Sequence, residues 1–221
     1  MNENEIKKYI INLGVKDIGF SNIHSELNDN WKHLNSAITV VVRLSDQIID
    51  DIVDKPSETY FAHYRSVNYY INEVTLRIMM YLQDGGYKAV PIPASQSLDK
   101  KPYSGIFQHK TAATLSGLGW IGKSGLFIHH KYGPRVRLGT VLTDMKLSYG
   151  MPIKEGKCAN CNKCVISCPA MAIEGNNWTQ GMERSMLVNA HSCSQYMKNN
   201  FQHIGRGSVC GICISSCPIG K

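Results

Sequence analysis

With 221 residues, 43% of them hydrophobic and 19% charged, the chain can bury a sizeable core, and its composition is that of a globular rather than a disordered protein. It contains no apolar run near the roughly 18 residues that a membrane helix needs, and its acidic, polar start MNENEIKKYIINLG carries no signal pattern, so a cytoplasmic protein without membrane attachment is expected. The net charge of +7 favours a polyanionic partner such as nucleic acid only modestly.

Taken in order, residues 2–13 read as a helix that begins at Asn2 and ends before Gly14. VKDIGFSNI and AITVVVRL (37–44) read as strands, the second rich in β-branched residues. Pro56-Ser57 opens a long helix that Gly85-Gly86 closes. Phe61, Tyr64, Val67, Ile71, Val74, Ile78 and Leu82 step along it by three or four. YKAVPIPA (87–94) is a further strand, 95–109 is irregular, and KTAATLS makes a short helical turn. SGLFIHH and PRVRLGTVLTD, separated by KYG, read as the two strands of a hairpin. The first 150 residues are therefore expected to form an α+β or α/β domain, and MPIKEGK leads from it into a second domain over 151–221.

All eight cysteines lie between residues 158 and 217. Cys158-x2-Cys161-x2-Cys164-x3-Cys168-Pro169 is the ferredoxin run in which three thiolates wrap one iron–sulfur cube and the fourth reaches a neighbouring cube. Cys210-x2-Cys213-x3-Cys217-Pro218 repeats its second half, and Cys193 is the cysteine left to complete the count. One 4Fe–4S cluster is then assigned to Cys158, Cys161, Cys164 and Cys217, and the other to Cys193, Cys210, Cys213 and Cys168. Zinc would explain the C-x2-C pairs but neither the third cysteine of the first run nor the twin Cys-Pro pairs. Two clusters would lower the net charge to about +3, which weakens the case for nucleic acid. Side by side they form a one-electron relay, expected to draw on an external low-potential donor such as a ferredoxin or flavodoxin, and a monomer is expected.

The segment GLGWIGKS (117–124) matches two phosphate-binding patterns at once, G-x-G-x-x-G and G-x-x-x-x-G-K-S. Both require a preceding strand and a following helix. Here a helical turn precedes and a strand-like run follows, so neither nucleotide reading stands.

KTAATLSGLGWIGKSGLFI, LGTVLTD and the split double-cluster cysteines together resemble the epoxyqueuosine reductases, which are related to reductive dehalogenases. The resemblance extends upstream to the helix around Tyr60, His63 and Tyr64 and to VPIPAS. It implies a nitroreductase-like domain binding cobalamin, followed by a ferredoxin-like domain that feeds electrons to the cobalt. The implied reaction reduces the epoxide of a modified wobble nucleoside in tRNA. The Asp-x-His-x-x-Gly motif that places a histidine on cobalt is absent, so the corrinoid is expected base-off. Gly117, Gly119, Trp120, Gly122, Lys123 and Ser124 are implied as cofactor contacts, with His109 and Lys110 beside them. The family's general acid lies in an Asp-x-x-Pro segment. Here Asp99 keeps that form, Tyr103 has its ungapped position, and the acid is Asp99, Tyr103 or neither. Many relatives continue into a tRNA-holding extension, whereas this sequence runs four residues past Cys217, which leaves the substrate open between tRNA and another molecule. A non-catalytic electron carrier and a flavin reductase are the rival readings.

Overall fold

The structure, a computed structural model, describes residues 1–27, 29–95 and 106–221. Helix α1 (Glu3–Asn12) begins in a capping box: Asn2 Oδ1 accepts from the Glu5 N–H at 3.0 Å, and the Glu5 carboxylate accepts from the Asn2 N–H at 2.8 Å. It buries Ile6 and Ile10 and is followed by β1 (Asp17–Asn22), β2 (Ser36–Arg43), the short α2 (Asp46–Asp50) and the long α3 (Glu58–Asp84). Next come β3 (Ala89–Ile92), α4 (His109–Leu115), β4 (Gly119–Ile121), β5 (Phe127–His129) and β6 (Val136–Thr143). The cysteine-rich end carries α5 (Lys163–Ile166), α6 (Ala190–Phe201) and α7 (Ile212–Ser215).

The compact units are interleaved in sequence rather than divided at residue 150. One comprises Met1–Arg43, Val67–Leu118 and Arg137–Ile153, the other Leu44–Ser66, Gly119–Val136 and Lys154–Lys221. Segments 44–66 and 119–136 thus fold with the cysteine-rich end, because the backbone of Gly133 packs on Ile219 and Tyr60 packs on Gly211.

The first unit is a four-stranded sheet of order β1-β2-β6-β3, antiparallel between β1 and β2 and between β3 and β6. Every residue of β2 except Arg43 is buried, as its β-branched run predicts for a strand covered on both faces. On one face Ala37, Ile92 and Leu142 pack with Ala112 of α4. On the other, α3 approaches so closely that a Cβ on Gly139 would lie 2.7 Å from Ile71 Cγ2. Along the predicted stripe of α3, Val67, Ile71, Val74, Ile78 and Leu82 are buried, whereas Phe61 and Tyr64 are only half-buried.

The expected hairpin between SGLFIHH and PRVRLGTVLTD does not form. β5 pairs with β4, Trp120 opposite Ile128, while β6 joins the four-stranded sheet. The bulky Trp120 and Ile121, which lie between the glycines of GLGWIGKS, are buried strand residues that give β5 its local partner. The eight residues of β6 are buried almost throughout, as an interior strand requires.

Candidate cluster and cofactor site

The two cysteine runs fold alike. α5 begins after Asn162 and carries Cys164; α7 begins after Gly211 and carries Cys213. Each ends in the same turn, with the Cys168 N–H donating to Val165 O and the Cys217 N–H to Ile214 O, both at 3.3 Å. α5 and α7 pack on each other, which draws the runs together.

The electrostatic neighbours of the thiols sort them into two sets. Burial, then the charges of Cys158, Cys217 and Cys161, push the Cys164 thiol up to about 11. Burial likewise raises Cys210 to about 11, with Cys193 and Cys168 as its charged neighbours. Cys213 is raised further by burial and then by Cys210, Cys193 and Cys168, with Cys164 the last contributor. The sets are Cys158, Cys161, Cys164 and Cys217, and Cys168, Cys193, Cys210 and Cys213, so each run lends its Cys-Pro cysteine to the other set. Four thiols, half-buried except for the exposed Cys161, that repel one another as thiolates are a donor set for a cationic cluster, which supplies the missing positive charge.

A cavity of about 170 Å³ adjoins the first set and is lined by Cys158, Cys161, Cys164 and Cys217, with Cys213 of the other set. Its remaining wall includes Gly122, Lys123 and Ser124. The glycine segment is thereby brought to the cysteines, and its glycines answer to close packing. A Cβ on Gly119 would lie 2.0 Å from Ile128 O, and one on Gly122 would lie 2.8 Å from Ile128 Cγ1 and 3.6 Å from Cys158 Sγ. The N–H groups of Gly117, Leu118, Gly122 and Gly125 all donate to protein carbonyls. Trp120 Nε1, by contrast, is buried with no acceptor among the described residues. Lys123 is only 5% exposed and donates to Asn162 Oδ1 at 2.8 Å.

His109, Lys110 and Gly117 belong to the first unit. The half-buried His109 ring has both nitrogens engaged, Nδ1 with Thr140 Oγ1 at 2.8 Å and Nε2 with Pro93 O at 3.0 Å. Burial pushes its pKa down to about 4; the Pro93 bond opposes this and the Arg137 charge adds to it. Of the helix residues, Tyr60 is buried against Gly211, and His63 Nε2 accepts from the Ser45 N–H at 3.0 Å. Asp99 and Tyr103 lie outside the described residues. Two residues were not legible as parts of the site. Asn162 looked like a spacer, though it occupies the helix-start position that Gly211 fills in the repeat. Arg135 is fully buried and lies near enough to Cys217 to favour its thiolate, while pairing with Asp46 and Asp50.

Residues 157–220 match the 4Fe-4S double cluster binding domain. Over 234 residues the chain is 25% identical to the tetrachloroethene reductive dehalogenase of Desulfitobacterium hafniense, covering 98% of this chain and 39% of that one. It is 33% identical to the epoxyqueuosine reductase of Atelocyanobacterium thalassa over 123 residues, 53% of this chain and 39% of that one. The chain is thus similar in sequence both to epoxyqueuosine reductases and to reductive dehalogenases. Among solved structures, a reductive dehalogenase superposes with a TM-score of 0.75 at 17% identity, over 98% of this chain and 31% of that one. An epoxyqueuosine reductase bound to a tRNA stem loop gives 0.63 at 17% identity, over 98% and 64%. These likenesses show a shared fold. The chain spans 39% of the length of the two curated reductases, and no helix among its described residues is long and apolar enough to cross a membrane.

Proposed function

We propose that this chain is an oxidoreductase resembling epoxyqueuosine reductase, dependent on two 4Fe–4S clusters and a base-off cobalamin. The observation that carries the reading is the sorting of all eight cysteines into two crossed sets of four. When bound, the clusters supply single low-potential electrons and the corrinoid supplies the centre that reduces substrate. Cys158, Cys161, Cys164 and Cys217 hold one cluster, and Cys168, Cys193, Cys210 and Cys213 the other.

The corrinoid is supported by the reductive dehalogenase relatives, one of whose structures is described as suggesting a mechanism for B12-dependent dehalogenation. In this chain the unpartnered Trp120 N–H is a donor suited to a corrin amide. The glycine segment offers a packed wall rather than a flexible loop, since Gly117, Leu118 and Gly122 donate to protein carbonyls and Gly119 and Gly122 pack on Ile128. The proton for the substrate comes from Asp99, from Tyr103 or from neither, as the family resemblance leaves it. A low-potential donor, ferredoxin or flavodoxin, reloads the clusters in the cytoplasm, and the substrate is epoxyqueuosine in tRNA or another reducible molecule.

The test is the anaerobically purified protein with and without added hydroxocobalamin. Eight irons per chain and a base-off cob(II)alamin EPR signal on reduction are expected, from two cubanes of four irons, about eight in all. A corrinoid spectrum that the protein leaves unchanged sinks the cobalamin assignment. Clusters that reduce reversibly, with bound cobalamin but no turnover of epoxyqueuosine-tRNA, remove that substrate.

A further inference from the structure

Three lysines line the cavity beside the first cysteine set: Lys123, Lys157 and Lys163. Lys157 and Lys163 are exposed, and water and salt screen their charges. Lys123 is buried, and an ammonium taken out of water needs a compensating anion. The partner it has is a neutral amide oxygen, Asn162 Oδ1.

That partner is itself unusual. An asparagine at the start of a helix ordinarily turns its oxygen onto the N–H groups of the first turn. Asn162 starts α5 and makes no such bond; its oxygen holds the Lys123 ammonium instead. In the repeat the same place is Gly211, which has no side chain to hold anything. The two half-motifs therefore differ in one built-in feature, a lysine anchored on the loop between Cys161 and Cys164. A cubane with four thiolates carries about −2 when oxidised and about −3 when reduced. The anion that a buried ammonium lacks is thus the cluster, and the cation favours the reduced state more than the oxidised one.

We propose that Lys123 is the counter-cation of the cluster held by Cys158, Cys161, Cys164 and Cys217, positioned by Asn162, and that it raises the reduction potential of that cluster alone. The inference rests on the cluster assignment above. It gives Lys123 a role distinct from the corrinoid contact that the family resemblance implies.

The experiment is an EPR-monitored redox titration of the cluster-loaded protein, with iron content measured on every sample. Lys123→Met should keep both clusters and move one of the two reduction waves to more negative potential. The expected shift is at least tenfold in the reduced-to-oxidised ratio, about 59 mV for a one-electron couple. Asn162→Asp, which neutralises the ammonium in place, should move the same wave in the same direction, and Lys123→Arg should restore it. Should Lys123→Met fail to hold iron, Asn162→Asp alone decides. Waves that stay put in an iron-replete variant, or that both move equally, overturn the proposal. A wild-type protein with no reducible clusters fails the cluster assignment itself, which separates the two failures.

Discussion

His109 is held as a neutral ring. Its Nε2 must donate to the Pro93 carbonyl, which in the neutral ring leaves Nδ1 to accept from the Thr140 hydroxyl, and burial is what disfavours a second proton on the ring. With the folded pKa at about 4 and an unfolded value of about 6.5, the unfolded chain binds the extra proton between them. The stabilisation is therefore complete above about pH 6.5 and is lost as the pH falls toward 4. Between pH 7.5 and 5.5 the wild type should lose roughly 1 kcal/mol more than His109→Gln, read as the difference between their thermal denaturation curves. Parallel pH dependences would show that the ring titrates equally in both states. Arg135 is the other buried charge whose replacement has a clear direction. Its guanidinium is covered, while the Asp46 and Asp50 carboxylates it reaches from the start of β6 remain half exposed. Arg135→Met leaves those carboxylates to water rather than stranding them, so the loss should be about 2 kcal/mol, below that of a buried pair broken from one side. Urea unfolding of the anaerobic protein checks it, and Asp50→Asn, which leaves Asp46 on the guanidinium, should cost less.

At the scale of elements, the β4–β5 hairpin governs the glycine segment. Gly119 faces the Ile128 carbonyl across the ladder, where a methyl group would sit 2.0 Å from the oxygen. That oxygen belongs to a backbone position that cannot swing aside as a side chain can. Gly119→Ala should therefore cost at least about 3 kcal/mol, the upper end of ordinary overpacking, and lower the thermal midpoint together with the iron content. A variant of wild-type stability with full iron would mean that the strands separate at no cost. Much of this level was legible beforehand. The β-branched run of β2, the stripe of α3 and the Asn2 cap follow from local periodicity and capping chemistry. The pairing of β5 was not legible, because a strand of three residues carries too little pattern to name its partner, and β6 had the stronger claim on sequence order.

For the whole molecule, the crossing of the two cysteine runs makes a prediction that no single run makes. Any one ligand replaced by alanine should lower the iron from about eight to about four per chain, by removing one cubane. Cys158→Ala with Cys217→Ala should lose no more than either alone, since both serve one cluster. Cys193→Ala with Cys217→Ala should lose nearly all the iron, since they serve different ones. Iron analysis of the four proteins distinguishes this pattern from an uncrossed arrangement, in which Cys217 and Cys193 would belong to the same cluster.

The sequence by itself determined the presence of two cubane motifs, the mixed α/β character and the failure of the nucleotide patterns. Each of these depends on spacing within a few residues, which covalent geometry and helix or strand periodicity impose locally. Tertiary structure decided what long-range approach alone can set. It gathered segments 44–66 and 119–136 into the cysteine-rich unit, gave Gly119 and Gly122 their packing reasons, and set Lys123 on Asn162. A lysine in the glycine segment and an asparagine between two cysteines are unremarkable as letters. Their meaning comes from burial, which removes the water that would otherwise satisfy the ammonium.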